Sequence, residues 1–147
     1  MFKAQTEWNK PEEFPDLREC TQIAIDLETH DPDLKSKGSG AVVDRGKVVG
    51  IAVATDGYSG YFPFDHKGGG NLEKAKVIQW FTDICKSDSD KIFHNAMYDV
   101  CWIRSMGIKI NGRIVDTMIA ASLVNENRFR YDLGFLGWDY VGYGKNE

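Results

Sequence analysis

Residues 21–29 read TQIAIDLET, and their alternation decides the fold. From Thr21 to Leu27 the run predicts a strand, with Ile23 and Ile25 on one face by the period of two of a pleated backbone. Asp26 and Glu28 close the strand on the opposite parity, so both acids point to the same side. Neighbouring carboxylates repel, and burying either one unpaired is costly. A hard divalent cation relieves both problems, because Mg²⁺ prefers oxygen ligands and commonly takes one or two carboxylates. Taken alone, an Asp-x-Glu at a strand end reads as two solvated surface acids.

Working outward, residues 47–54 (KVVGIAVA) predict a second strand and 58–64 (YSGYFPF) a third, joined by the hairpin turn Thr55-Asp56-Gly57. The polar residues 30–46 read as a loop or long hairpin connection. Residues 1–19, with Pro11 and Pro15, read as an irregular lead-in. Gly68-Gly69-Gly70 is a connector, lacking the Lys-Ser/Thr of a phosphate loop and the spacing of a dinucleotide fingerprint. Asn71 is placed to cap a helix over about 72–86, where Leu72, Ala75, Ile78, Phe81 and Cys85 recur at helical spacing. A short strand at 91–94 precedes a helix at 96–106, which Gly107 stops. Ile114 and Val115 lead into Asp116, an N-cap for a helix to about Val124, and Asp132 caps a last helix to about Val141. The order β-β-β-α-β-α-(β)-α-α predicts an α/β fold. Three antiparallel strands continue into parallel ones, with helices packed on the mixed sheet, as in the ribonuclease H-like architecture.

The 147 residues amount to one domain, 42% hydrophobic and so able to bury a core. The net charge of −4 is not that of an obvious nucleic-acid binder, although a carboxylate site is locally acidic only until its cations arrive. Cys20, Cys85 and Cys101 fit no zinc or disulfide spacing. Cys85 and Cys101 fall on apolar helix faces and are expected to be buried free thiols, which suits a reducing cytoplasm. No signal-peptide core and no run of membrane-spanning length is present. His30 and His66 are expected to be solvated, and His94 to pack or hydrogen-bond at a strand end. Trp80 and Trp102 fall on helices as core or partner surface, and Trp138 and Tyr140 near the end of the chain.

A second cluster, IFHNAMYDVCWI at residues 92–103, changes the weight of the first. His94 ends a strand, Asn95 opens a helix, and Asp99 follows one turn later on the face of Asn95. The opposite face carries Val100, Cys101 and Ile103. If this strand lies beside the first, Asp99 approaches Asp26 and Glu28.

DLET, HNAMYD and the later VDTM segment resemble the proofreading 3′–5′ exonuclease domain of family A DNA polymerases, phage polymerases especially, among the DEDD exonucleases. The resemblance runs from about Gln22 to Tyr143. It implies that Asp26 bridges two divalent ions, Mg²⁺ or Mn²⁺. Glu28 would hold the ion that activates water, and Asp99 the other, largely through water. Thr29, Asn95 and Tyr98 match positions against the 3′-terminal nucleotides, and Pro32, Met97 and Tyr98 are candidates for an apolar platform. Asp116 is read as structural, an N-cap. The implied reaction is two-metal hydrolysis at a single-stranded or frayed DNA 3′ end, releasing nucleoside 5′-monophosphates. The implied partner is a polymerase domain on a continuing or separate chain, in the cytoplasm of a bacterial or phage-infected cell.

One departure matters. The family's third motif, Tyr-x-x-x-Asp, does not follow Asp99. Tyr61-x-x-x-Asp65 precedes the second motif, and Phe135-x-x-x-Asp139 lacks the hydroxyl and comes too early. Residues 1–147 are therefore expected to form a single exonuclease-like domain, incomplete at its C-terminus and weak or inactive alone. An RNA 3′-end exonuclease and a catalytically silent module of the same fold are the alternatives.

Overall fold

Strand β1 (Gln22–His30) outruns the predicted strand because Glu28, Thr29 and His30 go on pairing with β2 (Lys47–Thr55). The computed structural model describes residues 8–143, so the first seven residues of the lead-in lie outside the described residues. β1 and β2 are antiparallel, and β2 turns through Asp56 and Gly57 into antiparallel β3 (Tyr58–Pro63). Gly57 takes the positive φ of +79° that this tight turn demands. β4 (Asp90–Phe93) and β5 (Ile114–Asp116) add in parallel, giving the order β3-β2-β1-β4-β5. The mixed sheet predicted from the sequence is thus present, with β1 at its centre. Glu28 pairs with Gly50 but Thr29 with Val48, which leaves Val49 as an extra residue in β2. Such a bulge bends and twists the sheet locally, here beside the acids.

One face of the sheet carries the core. Ile23, Ile25 and Leu27 of β1 join Ile51 and Val53 of β2 and Phe62 of β3, all buried. Helix α3 (Lys74–Lys86) contributes Val77, Phe81, Ile84 and Cys85, and α4 (Ala96–Ser105) contributes Trp102 and Ile103. Trp80 packs, tilted, against Phe62 and Phe14 and donates its Nε1–H to the Pro15 carbonyl at 2.7 Å. Lys91, fully buried on β4, donates from Nζ to the carbonyls of Ser87 and Ser89 where α3 ends.

Five expectations need correction. Residues 30–46 contain two single-turn helices, α1 (Leu34–Lys37) and α2 (Gly40–Val43), too short to show a periodic pattern. α3 begins at Lys74 behind Glu73, because Asn71 is engaged elsewhere. Its amide accepts from the His66 N–H at 2.8 Å and donates to the His66 carbonyl at 2.9 Å. His66 is therefore not simply solvated, and its Nε2 also meets the Tyr61 hydroxyl. On α4 the buried stripe is Ala96, Asp99, Trp102 and Ile103, so Asp99 shares the core-facing side instead of opposing it. Cys101 falls off that stripe and is half-buried, whereas Cys85 is fully buried and burial pushes its thiol up to about 12.

The last elements are α5 (Thr117–Val124) and α6 (Leu133–Val141), capped by Asp116 and Asp132 as predicted. Leu123, Val124, Phe129, Trp138, Tyr140 and Val141 on and between them are all exposed.

Candidate active site

β1 delivers Asp26 and Glu28 to the face away from the core, as their shared parity requires. Across β2 their partners are Ala52 and Gly50, and Ala54 continues the row. The small Ala52 and Ala54 leave open space above the sheet beside Asp26. A cleft of about 860 Å³ lies over this floor, lined among others by Ala24, Asp26, Ala52, Ala54, Tyr61 and His94. A Cβ on Gly50 would lie 2.1 Å from the Tyr61 hydroxyl, so only glycine lets that ring cross the strand beside Glu28. Burial first and the Glu28 charge second push the Tyr61 phenol up to about 12, so it stays protonated.

Asp99 reaches this end of the sheet from α4. It is only 4% exposed. Its Oδ1 accepts the backbone N–H of Leu27, the residue between the two acids, at 3.0 Å. Burial is the main cause, and the nearby charge of Asp26 a further one, that pushes the Asp99 carboxyl up to about 7, against the Leu27 N–H that lowers it. Asp99 thus comes, from a distant stretch of sequence, near enough to Asp26 for that charge to oppose its ionisation.

Asn95 stands ahead of α4 in the left-handed region, φ 67°, a conformation asparagine tolerates better than most residues. Its side chain makes no cap, and it is exposed. The cap comes from Asp116, whose carboxylate accepts the N–H groups of Asn95 (3.1 Å), Ala96 (2.8 Å), Met118 (2.9 Å) and Ile119 (3.4 Å). Burial raises the Asp116 carboxyl, but these donors together hold it below the usual range. Asp116 is structural, as read from the sequence, and it serves two helices. His94 bonds Thr117 Oγ1 at 2.9 Å and the Tyr131 carbonyl at 2.8 Å, the expected hydrogen-bonding role at a strand end.

Thr29 and Tyr98 meet directly, with Oγ1 and the phenol oxygen 2.8 Å apart. The Tyr98 hydroxyl also donates to Asp31 Oδ2 at 3.0 Å. Of the platform candidates, Pro32 and Met97 are exposed and Tyr98 is half-buried. Sequence reasoning missed Asp31 and Tyr61. Asp31 looked like one more charge in a polar loop, while the place of Tyr61 across from Ala52 follows from the hairpin register.

Oxygen donors alone furnish the Asp26–Asp99 pair, which suits a hard cation that would relieve their repulsion. Among the described residues, no three His, Cys, Asp or Glu side chains gather closely enough to hold an ion. Asp99 thus reaches the strand that carries the two acids, at the Leu27 N–H between them, and Glu28 stays exposed on that strand, where its charge acts on Tyr61.

A central strand ending in acids, antiparallel on one side and parallel on the other, defines the class of ribonuclease H-like folds. The chain is similar to Brucella melitensis NrnC with bound Mg²⁺ (TM-score 0.62, 17% identity, 88% of this chain and 58% of that one), a likeness of fold alone. More specifically, the chain belongs to the 3′–5′ exonuclease domain family of family A DNA polymerases, whose 3′–5′ exonuclease model matches residues 5–146. It is 31% identical to the DNA-directed DNA polymerase of Pseudomonas phage M6 over 97% of this chain and 22% of that protein. It is 29% identical to DNA polymerase I of Borreliella burgdorferi over 85% of this chain and 13% of that one. The chain thus spans less than a quarter of the length of either relative. Among the described residues, no helix is long and apolar enough to cross a membrane.

Proposed function

We propose that this chain is a divalent-metal-dependent 3′–5′ proofreading exonuclease module, acting on single-stranded or frayed DNA 3′ ends beside a polymerase domain. The observation that carries the reading is the buried Asp99 carboxylate seated on the Leu27 N–H, with Asp26 and Glu28 on either side in sequence. Asp26, Glu28 and Asp99 would hold two ions, Mg²⁺ or Mn²⁺. When bound, the ions supply an activated water and charge stabilisation at the leaving oxygen. The chain's own residues orient the strand. Thr29 and Tyr98 form a hydrogen-bonded pair beside the acids, Asn95 offers an exposed amide, and Pro32 and Met97 offer apolar surface to the last bases. The products are nucleoside 5′-monophosphates, and the setting is the interior of a bacterial or phage-infected cell. DNA is favoured over RNA because the polymerase relatives match across most of the chain.

Two measurements test the reading. Mn²⁺ titration should show binding by the wild-type chain that Asp26→Ala reduces at least about tenfold, the loss expected when one of few ligands is removed. Digestion of 3′-labelled DNA and RNA strands should release 5′-monophosphates from DNA preferentially. Equal, negligible Mn²⁺ binding by wild type and Asp26→Ala would favour the silent module instead.

A further inference from the structure

Chain order excludes Tyr61 from the family's third motif, yet the fold carries its hydroxyl to the acid end of the sheet. Glu28 pairs with Gly50 across β1 and β2, and the Cβ positions of such a pair lie about 5 Å apart on one face. A Cβ on Gly50 would overlap the Tyr61 hydroxyl. The hydroxyl therefore occupies the place beside Glu28 where the side chain of residue 50 would stand, within reach of a glutamate carboxylate. The Tyr61 ring also lines the cleft that holds Asp26. Glycine inside a strand weakens it, so the sheet gives up stability to admit this oxygen.

The hydroxyl is fixed from behind. It is hydrogen-bonded to His66 Nε2, and the two rings meet edge to face at 5.9 Å. The Asn71 amide grips the His66 backbone at its N–H and its carbonyl. Trp8 packs edge to face against the Tyr61 ring at 6.3 Å. A phenol has one hydrogen, and a neutral imidazole either gives or takes one at Nε2. The Glu28 charge attracts the phenol hydrogen, which leaves Nε2–H to donate to the Tyr61 oxygen. A chain of donors then runs from His66 through Tyr61 to Glu28, each bond polarising the next. Asp99 is buried and already seated on the Leu27 N–H, whereas Glu28 is exposed and gains most from a fixed donor.

We infer that Tyr61 is a positioning residue for Glu28: held by His66, its O–H donates to the Glu28 carboxylate and fixes that acid as a cation ligand. This rests on the exonuclease reading above. It adds a partner, from β3 and the loop after it, that sets the orientation of one acid.

The test is Mn²⁺ titration of the whole chain, followed by the electron spin resonance of the free ion. Tyr61→Phe keeps the ring and should weaken binding about tenfold, as loss of a ligand's hydrogen-bond partner does, while circular dichroism shows the chain still folded. His66→Leu should lose a similar factor, which covers the case of a misfolded Tyr61→Phe. His66→Gln keeps an N–H for the Tyr61 oxygen and should retain most of the affinity. The double variant Tyr61→Phe, His66→Leu should lose no more than either single one, because the two act in series. Glu28→Ala should lose at least as much, because it removes the group on which Tyr61 acts. Wild-type binding that Tyr61→Phe changes less than about twofold overturns this inference and leaves the exonuclease reading standing. So does a Tyr61→Phe loss larger than that of Glu28→Ala, or losses that multiply in the double variant. A wild-type chain that binds no Mn²⁺ overturns both.

Discussion

The two faces of the sheet use the same strands for opposite purposes. On one, Ile23, Ile25, Leu27, Ile51, Val53 and Phe62 are buried against α3 and α4. On the other, Asp26 and Glu28 stand above Gly50 and Ala52, with an open cleft overhead. Parity alone separates them, since neighbouring residues of one strand serve different sides. The packed face tolerates no loss of volume, and the open face accepts charge that weakens the fold. Stability and chemistry can therefore be perturbed independently in this molecule, although their residues are interleaved.

The sharpest way to expose the contrast is to cut into the packed face. Phe81→Ala, at a fully buried position of α3, should lower unfolding free energy by about 3–5 kcal/mol in urea titrations. A loss below about 1 kcal/mol, the range of a typical substitution, would show that this face does not set stability.

The buried acid that α4 brings to the end of that packed face should behave in the opposite sense. The folded Asp99 carboxyl titrates near 7, above its ordinary value. As pH rises from about 4 towards 7, the unfolded chain releases this proton first, so Asp99 makes the fold progressively less stable until the loss levels off above 7. In metal-free buffer, Asp99→Asn should remove that dependence. The variant should overtake the wild type by about 2–4 kcal/mol at pH 8, relative to their difference at pH 4. Parallel stability curves for the two proteins between those limits would contradict the picture of a strained, converging pair.

The smallest effect belongs to the apolar surface on the last helices. Leu123, 82% exposed on α5, touches little that folding buries. Leu123→Ser should change stability by no more than about 0.5 kcal/mol. A larger loss in the same thermal or urea measurement would mean that α5 carries more of the fold than its exposure indicates.

Much of this was legible in the residue order. The alternation around Ile23 and Ile25, the Asp56-Gly57 turn and the spacing of Ile78, Phe81 and Cys85 set strands and helices through contacts short in sequence. The approach of Asp99 to β1 followed from placing β4 beside it, and the 3.0 Å bond to Leu27 realises that placement. What stayed hidden depends on partners far along the chain. Asn71 has the right chemistry for a cap and the right position, yet His66 offers both a donor and an acceptor and captures its amide first. α1 and α2 are single turns, held by backbone bonds back to Asp33 and Ser39 that leave no apolar repeat. Asp31 carried no periodic signal, because its meaning lies in Tyr98, far along the chain on α4.

The Asp116 carboxylate bonds the leading amides of α4 and α5 together. If the proposed exonuclease reading holds, a random mutagenesis screen scored on loss of cleavage should therefore recover this position alongside Asp26 and Asp99. Its variants should be told apart by suppression: second-site changes that stiffen the entry to α4 will restore them, and will do nothing for a missing ligand.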